Sequence, residues 1–335
     1  MRCQVLYGPR DLRLENRPEP TLGDRDVLIK VRTAGLCGSD FHRYMGHRQI
    51  PGPLVLGHEF SGDVSGVGKS VTRFKPGDRA TVQPNFGCGE CSMCRSGREN
   101  LCKERLGLSV NIDGCFADYV AVPEGYAWHV PQGLSYEQAA IAEPLAVAVR
   151  AVKRARVAAG DTVVILGAGP VGLLALQVAK ASGASVVAVD VIAWKLELAR
   201  NLGADASISG NGDDILTALE EATGEKGARV VIETAGVPST VELALRLVSP
   251  GGRVILVGLA QTTAQVIPAQ LVSNEVEVLG SYIYTHDEFG AALRLAERRI
   301  VNVDAIVSHR LPFDRLAEAF SILERGEGCK VLIEM

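Results

Sequence analysis

Long apolar runs are missing from this chain: nowhere do 18 uninterrupted apolar residues occur, and the N-terminal MRCQVLYGPRDLRL has no apolar stretch of signal-peptide length. Without a spanning segment or an export signal, a soluble, cytoplasmic protein with no membrane partner is expected. An excess of positive charge is missing too. Lys and Arg number 35 against 39 Asp and Glu, a net charge of −4, so nucleic acid is not an expected partner. No internal repeat and no low-complexity tract occur. What the chain does have is length and ordinary globular composition: 335 residues, 47% hydrophobic and 22% charged, enough for about two packed domains.

Eight cysteines are present, and in a reducing compartment they stay thiols, so disulfides are not expected. Cys3, Cys115 and Cys329 stand alone and read as small buried hydrophobes. The other five fall into two sets. Cys88, Cys91, Cys94 and Cys102 follow a C-x2-C-x2-C-x7-C spacing, with Gly87, Gly89 and Gly97 suiting the tight turns between them. Four soft thiolates close a tetrahedral zinc and leave it no position for substrate, so this set is expected to be structural. The second set combines Cys37-Gly-Ser39-Asp40-x-His42 with Gly57-His58-Glu59. A thiolate, an imidazole and a carboxylate can hold zinc with one position open, which is what a catalytic ion needs. Asp40 fits behind His58, where a carboxylate orients a ligating imidazole.

Up to about residue 145 the text is strand-like, with short runs such as Val27–Arg32, Asp63–Val67 and Arg79–Gln83 set off by Gly, Pro and Asp turns. From Asp161 onward apolar strands alternate with helical segments: Thr162–Leu166, Gly172–Ser182, Ser185–Asp190 and Ala193–Leu202, then strands at Val230–Glu233, Val254–Val257 and Glu277–Leu279. That alternation implies parallel strands with helices on both faces. Helices at His286–Arg298 and Phe313–Arg325 and a strand at Lys330–Glu334 close the chain.

Gly167-Ala-Gly169-Pro170-Val171-Gly172 lies between the apolar run TVVIL and a helix-like stretch, the strand–turn–helix setting of a dinucleotide site. The first glycine permits the turn, the second lets a pyrophosphate approach the backbone, and the third lets helix pack on strand. Asp190, 18 residues after Gly172, ends the next strand, where a carboxylate accepts from the adenosine ribose and repels a 2′-phosphate. NAD is therefore expected over NADP. Lys195 lies just beyond, either against the adenosine or in solvent.

G-H-E-x2-G-x5-G, met by Gly57, His58, Glu59, Gly62 and Gly68, resembles the signature of the zinc-containing medium-chain alcohol/polyol dehydrogenase family. C-G-S-D-x-H, the four-cysteine lobe and the glycine-rich turn follow in that family's order. EPLAVAVRAV at Glu143–Val152, IETAGVPSTVELA at Ile232–Ala244 and VNVDAIVSHRLPFDRLAEAF at Val301–Phe320 resemble its sorbitol, galactitol-1-phosphate, butanediol and threonine dehydrogenase branch. The resemblance implies an α/β protein: a mostly-β GroES-like catalytic domain over 1–146 with a structural-zinc lobe at about 85–105, a Rossmann doubly wound NAD-binding domain over 147–282, and a return to the catalytic domain over 283–335. It also implies two zinc ions per chain and an NAD-dependent oxidation of a secondary alcohol to a ketone.

In that branch Cys37, His58 and a carboxylate see the catalytic ion. Glu59 would need a local bend to ligate beside His58, and Glu143, before Pro144, reads equally as a helix cap; both are counted as metal-site residues. Ser39 and His42 match the family's proton path. Tyr44, Ile283 and Tyr284 match its substrate pocket, although Ile283 stands where sorbitol dehydrogenases have arginine, which favours a smaller diol or a modified sugar alcohol. Tyr44 also reads as loop packing. Arg43 and Arg48 are the nearby cations for a phosphorylated substrate. The alternatives are an L-threonine 3-dehydrogenase-type reaction and a non-catalytic NAD-binding zinc protein. Family members form homodimers or homotetramers through an edge strand, here Glu275–Tyr282 with Glu277 at the contact.

Overall fold

In the strand Asp26–Leu36 nearly every side chain of the run VLIKVRTAGL is buried, the mark of a strand with neighbours on both edges and cover on both faces. It pairs antiparallel with Glu59–Val67 on one side and with Lys330–Glu334 on the other. Tyr119–Pro123 pairs with its first half. The computed structural model, which describes residues 1–212 and 214–335, orders this sheet as Ala127–His129, Arg79–Val82, Glu59–Val67, Asp26–Leu36, Lys330–Glu334, Val307–Pro312. Val27, Ile29, Phe60, Phe116, Phe320 and Val331 belong to one core beneath it.

This sheet belongs to a unit made of Met1–Glu143, Thr285–Glu297 and Val303–Met335. The last strand joins it because Leu332 and Ile333 pair with Gly35 and Ala34 in the middle of the sheet. The second unit comprises Pro144–Tyr284 and Arg298–Asn302. Residues 298–302 go with it through Gln177, whose amide accepts from Asn302 N at 2.7 Å and donates to Asn302 O at 3.3 Å.

Six parallel strands form the second unit's sheet in the order Ala206–Ser209, Ser185–Asp190, Thr162–Leu166, Ala228–Glu233, Val248–Leu256, Glu277–Gly280. This is the 3-2-1-4-5-6 order of a doubly wound dinucleotide fold. The run TVVIL at its centre is wholly buried, as a strand covered on both faces must be.

Several expected elements change in length. The helix after the glycine turn begins at Pro170 and ends at Ala181, because proline suits a helix's first position. The stretch Phe313–Arg325 divides into a 3-10 turn, Phe313–Arg315, and the helix Leu316–Glu324. The strand expected at Val254–Val257 runs from Val248 to Leu256.

Candidate metal and dinucleotide sites

Three adjacent strands build the first site. Asp26–Leu36 ends immediately before Cys37, which caps the short helix Gly38–Tyr44. Its neighbour begins at Glu59, so His58 lies just outside the regular pleat and need not point away from Glu59. Gly57, at φ +89°, supplies the bend. As a result a sulfur of Cys37, a ring nitrogen of His58 and a carboxylate oxygen of Glu59 all lie within 4.8 Å of one another.

Asp40 stands behind the imidazole. Its buried Oδ2 is 3.3 Å from His58 Nδ1, an ion-pair contact without the alignment of a hydrogen bond, and Oδ1 accepts from Gly57 N at 3.3 Å and from the Ser109 hydroxyl. With Nδ1 turned to Asp40, the ring offers Nε2 to an ion. Burial opposes an imidazolium here, but Asp40 and Cys37 outweigh it and hold His58 well above the ordinary histidine value. Burial likewise opposes the Asp40 charge, and His58, Ser109 and Arg43 more than offset it, keeping Asp40 below the usual carboxylate range.

A residue that sequence reading missed completes this corner. Lys330, fully buried, donates to Glu59 Oε2 at 2.6 Å and Oε1 at 2.8 Å and to Leu36 O at 3.2 Å. Burial disfavours its charge, yet Glu59, Cys37 and Glu143 raise its pKa above the ordinary lysine value. Nothing at sequence level joins positions 271 residues apart; the one available signal was a lysine opening a strand whose next three residues are apolar. Glu143 is buried in the first turn of the helix Ala142–Arg154, inside the helix and not capping it. It stands outside the 4.8 Å grouping while lying near enough to Lys330 to favour its charge.

Ser39 donates to Cys37 Sγ at 3.4 Å. His42 is exposed, with Nδ1 3.2 Å from His47 Nδ1; partial burial of its ring, then Arg48 and His47, lower its pKa. Arg43 is buried and donates to Ser39 O at 3.1 Å. Tyr44 is buried in the core, stacked on Phe320 with ring centroids 4.2 Å apart. Tyr284 is fully buried, and Ile283, half-buried, has φ +52°, a strained conformation for a β-branched residue.

Cys88, Cys91, Cys94 and Cys102 also bring their sulfurs within 4.8 Å of one another. Cys88 and Cys94 are 3.9 Å apart; a tetrahedral zinc with Zn–S of about 2.3 Å sets its sulfurs about 3.8 Å apart. Backbone amides of Cys91, Cys94 and Cys88 point at the sulfurs of Cys88, Cys91 and Cys102, each at 3.4 Å. Amide donors of Cys91 and Glu90 lower Cys88 to about 7, while burial and the neighbouring thiols push Cys94 up to about 12. A divalent cation resolves that conflict by letting all four ionise. The donor sets at both sites therefore fit zinc.

In the second unit Gly167 turns the chain at φ +97°, and a side chain at Gly172 would put its Cβ 1.9 Å from Gly167 O. Gly169 caps the helix, leaving its first amides free for a phosphate. Pro170 opens that helix, and Val171 is half-buried beside it. Asp190 Oδ2 accepts from Ala168 N at 2.7 Å and Oδ1 from Ile192 N at 2.9 Å, so one carboxylate ties the glycine turn to the following loop. Lys195 lies over the ring of Trp194 at 5.6 Å.

A GroES-like zinc unit joined to a Rossmann nucleotide unit defines a zinc- and dinucleotide-dependent dehydrogenase. Residues 23–132 match the alcohol dehydrogenase GroES-like domain and residues 170–298 the zinc-binding dehydrogenase family. The chain is 37% identical to a sorbitol dehydrogenase of Halalkalibacterium halodurans, across 98% of this chain and 97% of that one. Among solved structures it is similar to an alcohol dehydrogenase from Escherichia coli CFT073 complexed with NADH, with a TM-score of 0.94, 32% identity and coverage of 100% and 99%. It is also similar to 2R,3R-butanediol dehydrogenase from Bacillus subtilis, with a TM-score of 0.92, 33% identity and coverage of 100% and 99%. The chain belongs to the zinc-containing medium-chain alcohol/polyol dehydrogenase family. No helix among the described residues is long and apolar enough to cross a membrane.

Proposed function

We propose that this dehydrogenase oxidises a secondary hydroxyl of a small diol, polyol or sugar alcohol to the ketone with NAD, and that Cys37, His58 and Glu59 hold its catalytic zinc. The convergence of those three donors carries the reading. When bound, zinc supplies a Lewis acid that makes a hydroxyl acidic, and the dinucleotide supplies the hydride acceptor.

The chain's own residues do the rest. Asp40 fixes the His58 ring and its tautomer. Ser39, 3.4 Å from Cys37 Sγ, receives the substrate proton. His42, whose lowered pKa leaves it neutral and able to accept at neutral pH, passes that proton outward. Glu143 serves as the second carboxylate of the site, near Lys330. Gly167, Gly169, Pro170, Val171 and Gly172 cradle the pyrophosphate. Asp190 selects NAD through the ribose, with Lys195 at the adenosine end.

The resemblance places Ile283 where sorbitol dehydrogenases have arginine, and the lack of a cation at that position supports a smaller substrate than a long polyol. Arg43 is engaged with Ser39 O, which favours an unphosphorylated substrate. The relatives named above, a sorbitol and a butanediol dehydrogenase, fit a vicinal hydroxyl compound. The cytoplasm, where thiols stay reduced, suits both thiolate sites. Glu277–Gly280 lies at a sheet edge with Val278 exposed, supporting a homodimer or homotetramer formed there; Glu277 itself pairs with Arg156.

A panel of diols, hexitols, hexitol phosphates and L-threonine, assayed with NAD and with metal analysis, tests this reading. Turnover of a vicinal hydroxyl compound and two zinc ions per chain are expected, with Cys37→Ala losing one ion and the activity. Full activity in Cys37→Ala, or a single zinc in the intact protein, would overturn it.

A further inference from the structure

All three donors of the Lys330 ammonium are committed: two to the oxygens of Glu59, at 2.6 and 2.8 Å, and one to Leu36 O at 3.2 Å. The pair is sealed from water, with 2% and 1% of the two side chains exposed. Strand register places the two residues for this contact. Lys330 precedes Val331, the partner of Leu36, and Glu59 is the partner of Gly35, so lysine and glutamate flank the end of one strand where Cys37 begins the ligand set. A metal ion reaching Glu59 must therefore share its oxygens with an ammonium group. In a dry site a cation so close draws charge from the carboxylate, which then donates less to a dication.

From this geometry we infer that Lys330 is a positioning residue that restrains Glu59, keeping it a weak third ligand so that it does not bind through both oxygens and close the coordination position the substrate needs. The inference rests on the reading of Cys37, His58 and Glu59 as the catalytic zinc site. Its sign separates it from a merely structural role. A pillar lost from beneath the site would loosen the metal, whereas a restraint lost from Glu59 tightens it.

The test uses the zinc-loaded enzyme and, for spectroscopy, enzyme with cobalt exchanged into the catalytic site. In Lys330→Met, release of the catalytic ion to a chromophoric chelator is expected to slow by about tenfold or more. The visible cobalt bands should weaken as coordination number rises, and kcat should fall; Lys330→Arg should restore all three toward the parent. Equal or faster release in Lys330→Met would overturn the inference. If that variant does not fold, Glu59→Gln is compared with Glu59→Gln/Lys330→Met, in which no buried charge is stranded. Release within about twofold between these two supports action through Glu59, and a tenfold difference refutes it. A single zinc in the parent protein would sink the site assignment, whereas two zincs with fast release from Lys330→Met would sink this inference alone.

Discussion

Gly35→Ala should damage the protein through one side chain. Gly35 faces Glu59 across paired strands, and a Cβ there would lie 2.2 Å from Glu59 Oε2 and 3.2 Å from its Cβ, against an ordinary contact of at least 3.4 Å. Glu59 cannot swing aside cheaply, because Lys330 holds both its oxygens. Breaking that buried pair costs about 3–5 kcal/mol, while forcing the strands apart as overpacking costs about 1–3 kcal/mol. The cheaper route sets the loss, and an overlap this deep places it near the upper end, about 3 kcal/mol. Urea denaturation of Gly35→Ala beside the parent protein reads the loss directly. The cause is isolated by repeating the substitution in a Glu59→Ala background, where the clash with the carboxylate is gone, only the 3.2 Å contact between Cβ atoms remains, and the added cost should fall below about 1 kcal/mol. The same loss with and without the Glu59 carboxylate would refute the reasoning.

Metal-free protein holds His58 well above the ordinary histidine value, so this group's stabilisation is complete below about pH 6.5 and is lost as pH rises through the raised value. Zinc needs the neutral ring, so uptake strengthens with pH; Asp40→Asn should move its onset to lower pH in chelator competition, and an unmoved onset would contradict the role given to Asp40. In zinc-stripped protein at neutral pH, alkylation followed by mass spectrometry should mark Cys88, at about 7, well before Cys94, at about 12. Reversed order would discredit the amide contacts as the cause. Asp190→Asn should relax the preference for NAD over NADP by about tenfold in kcat/KM, and unchanged discrimination would remove Asp190 from the ribose site. Ile283→Arg should raise kcat/KM for hexitols relative to short diols; no change would take position 283 out of the substrate pocket.

Where one element carried both the pattern and the reason, the sequence was readable. The wholly apolar TVVIL, the glycine turn and the aspartate ending the next strand lie within a single βαβ stretch, and Thr162–Leu166 and Ser185–Asp190 stand at the expected positions. The four cysteines were legible for the same reason, since their lobe closes over 15 residues from Cys88 to Cys102. What sequence could not give was contact between distant segments. His58 and Glu59 both reach Cys37 although they are adjacent, with the strand beginning only at Glu59, a boundary no periodicity marks. Lys330 reached the site through sheet order, which joins the last strand to Asp26–Leu36. Tyr44 illustrates the converse: its stacking on Phe320 is a core contact made across 276 positions (320 − 44).

Synthesis on the ribosome adds a consequence of that closing strand. Cys37, His58 and Glu59 emerge early, yet the lysine that neutralises Glu59 is translated only after the entire nucleotide-binding sheet. Until then Glu59 has no lysine partner within the seven-stranded sheet, and the edge that Thr33–Leu36 offers to the last strand is open. A metal centre built on Cys37, His58 and Glu59 would thus be completed only once Lys330 is in place, and truncation before Lys330 is expected to leave an inactive enzyme.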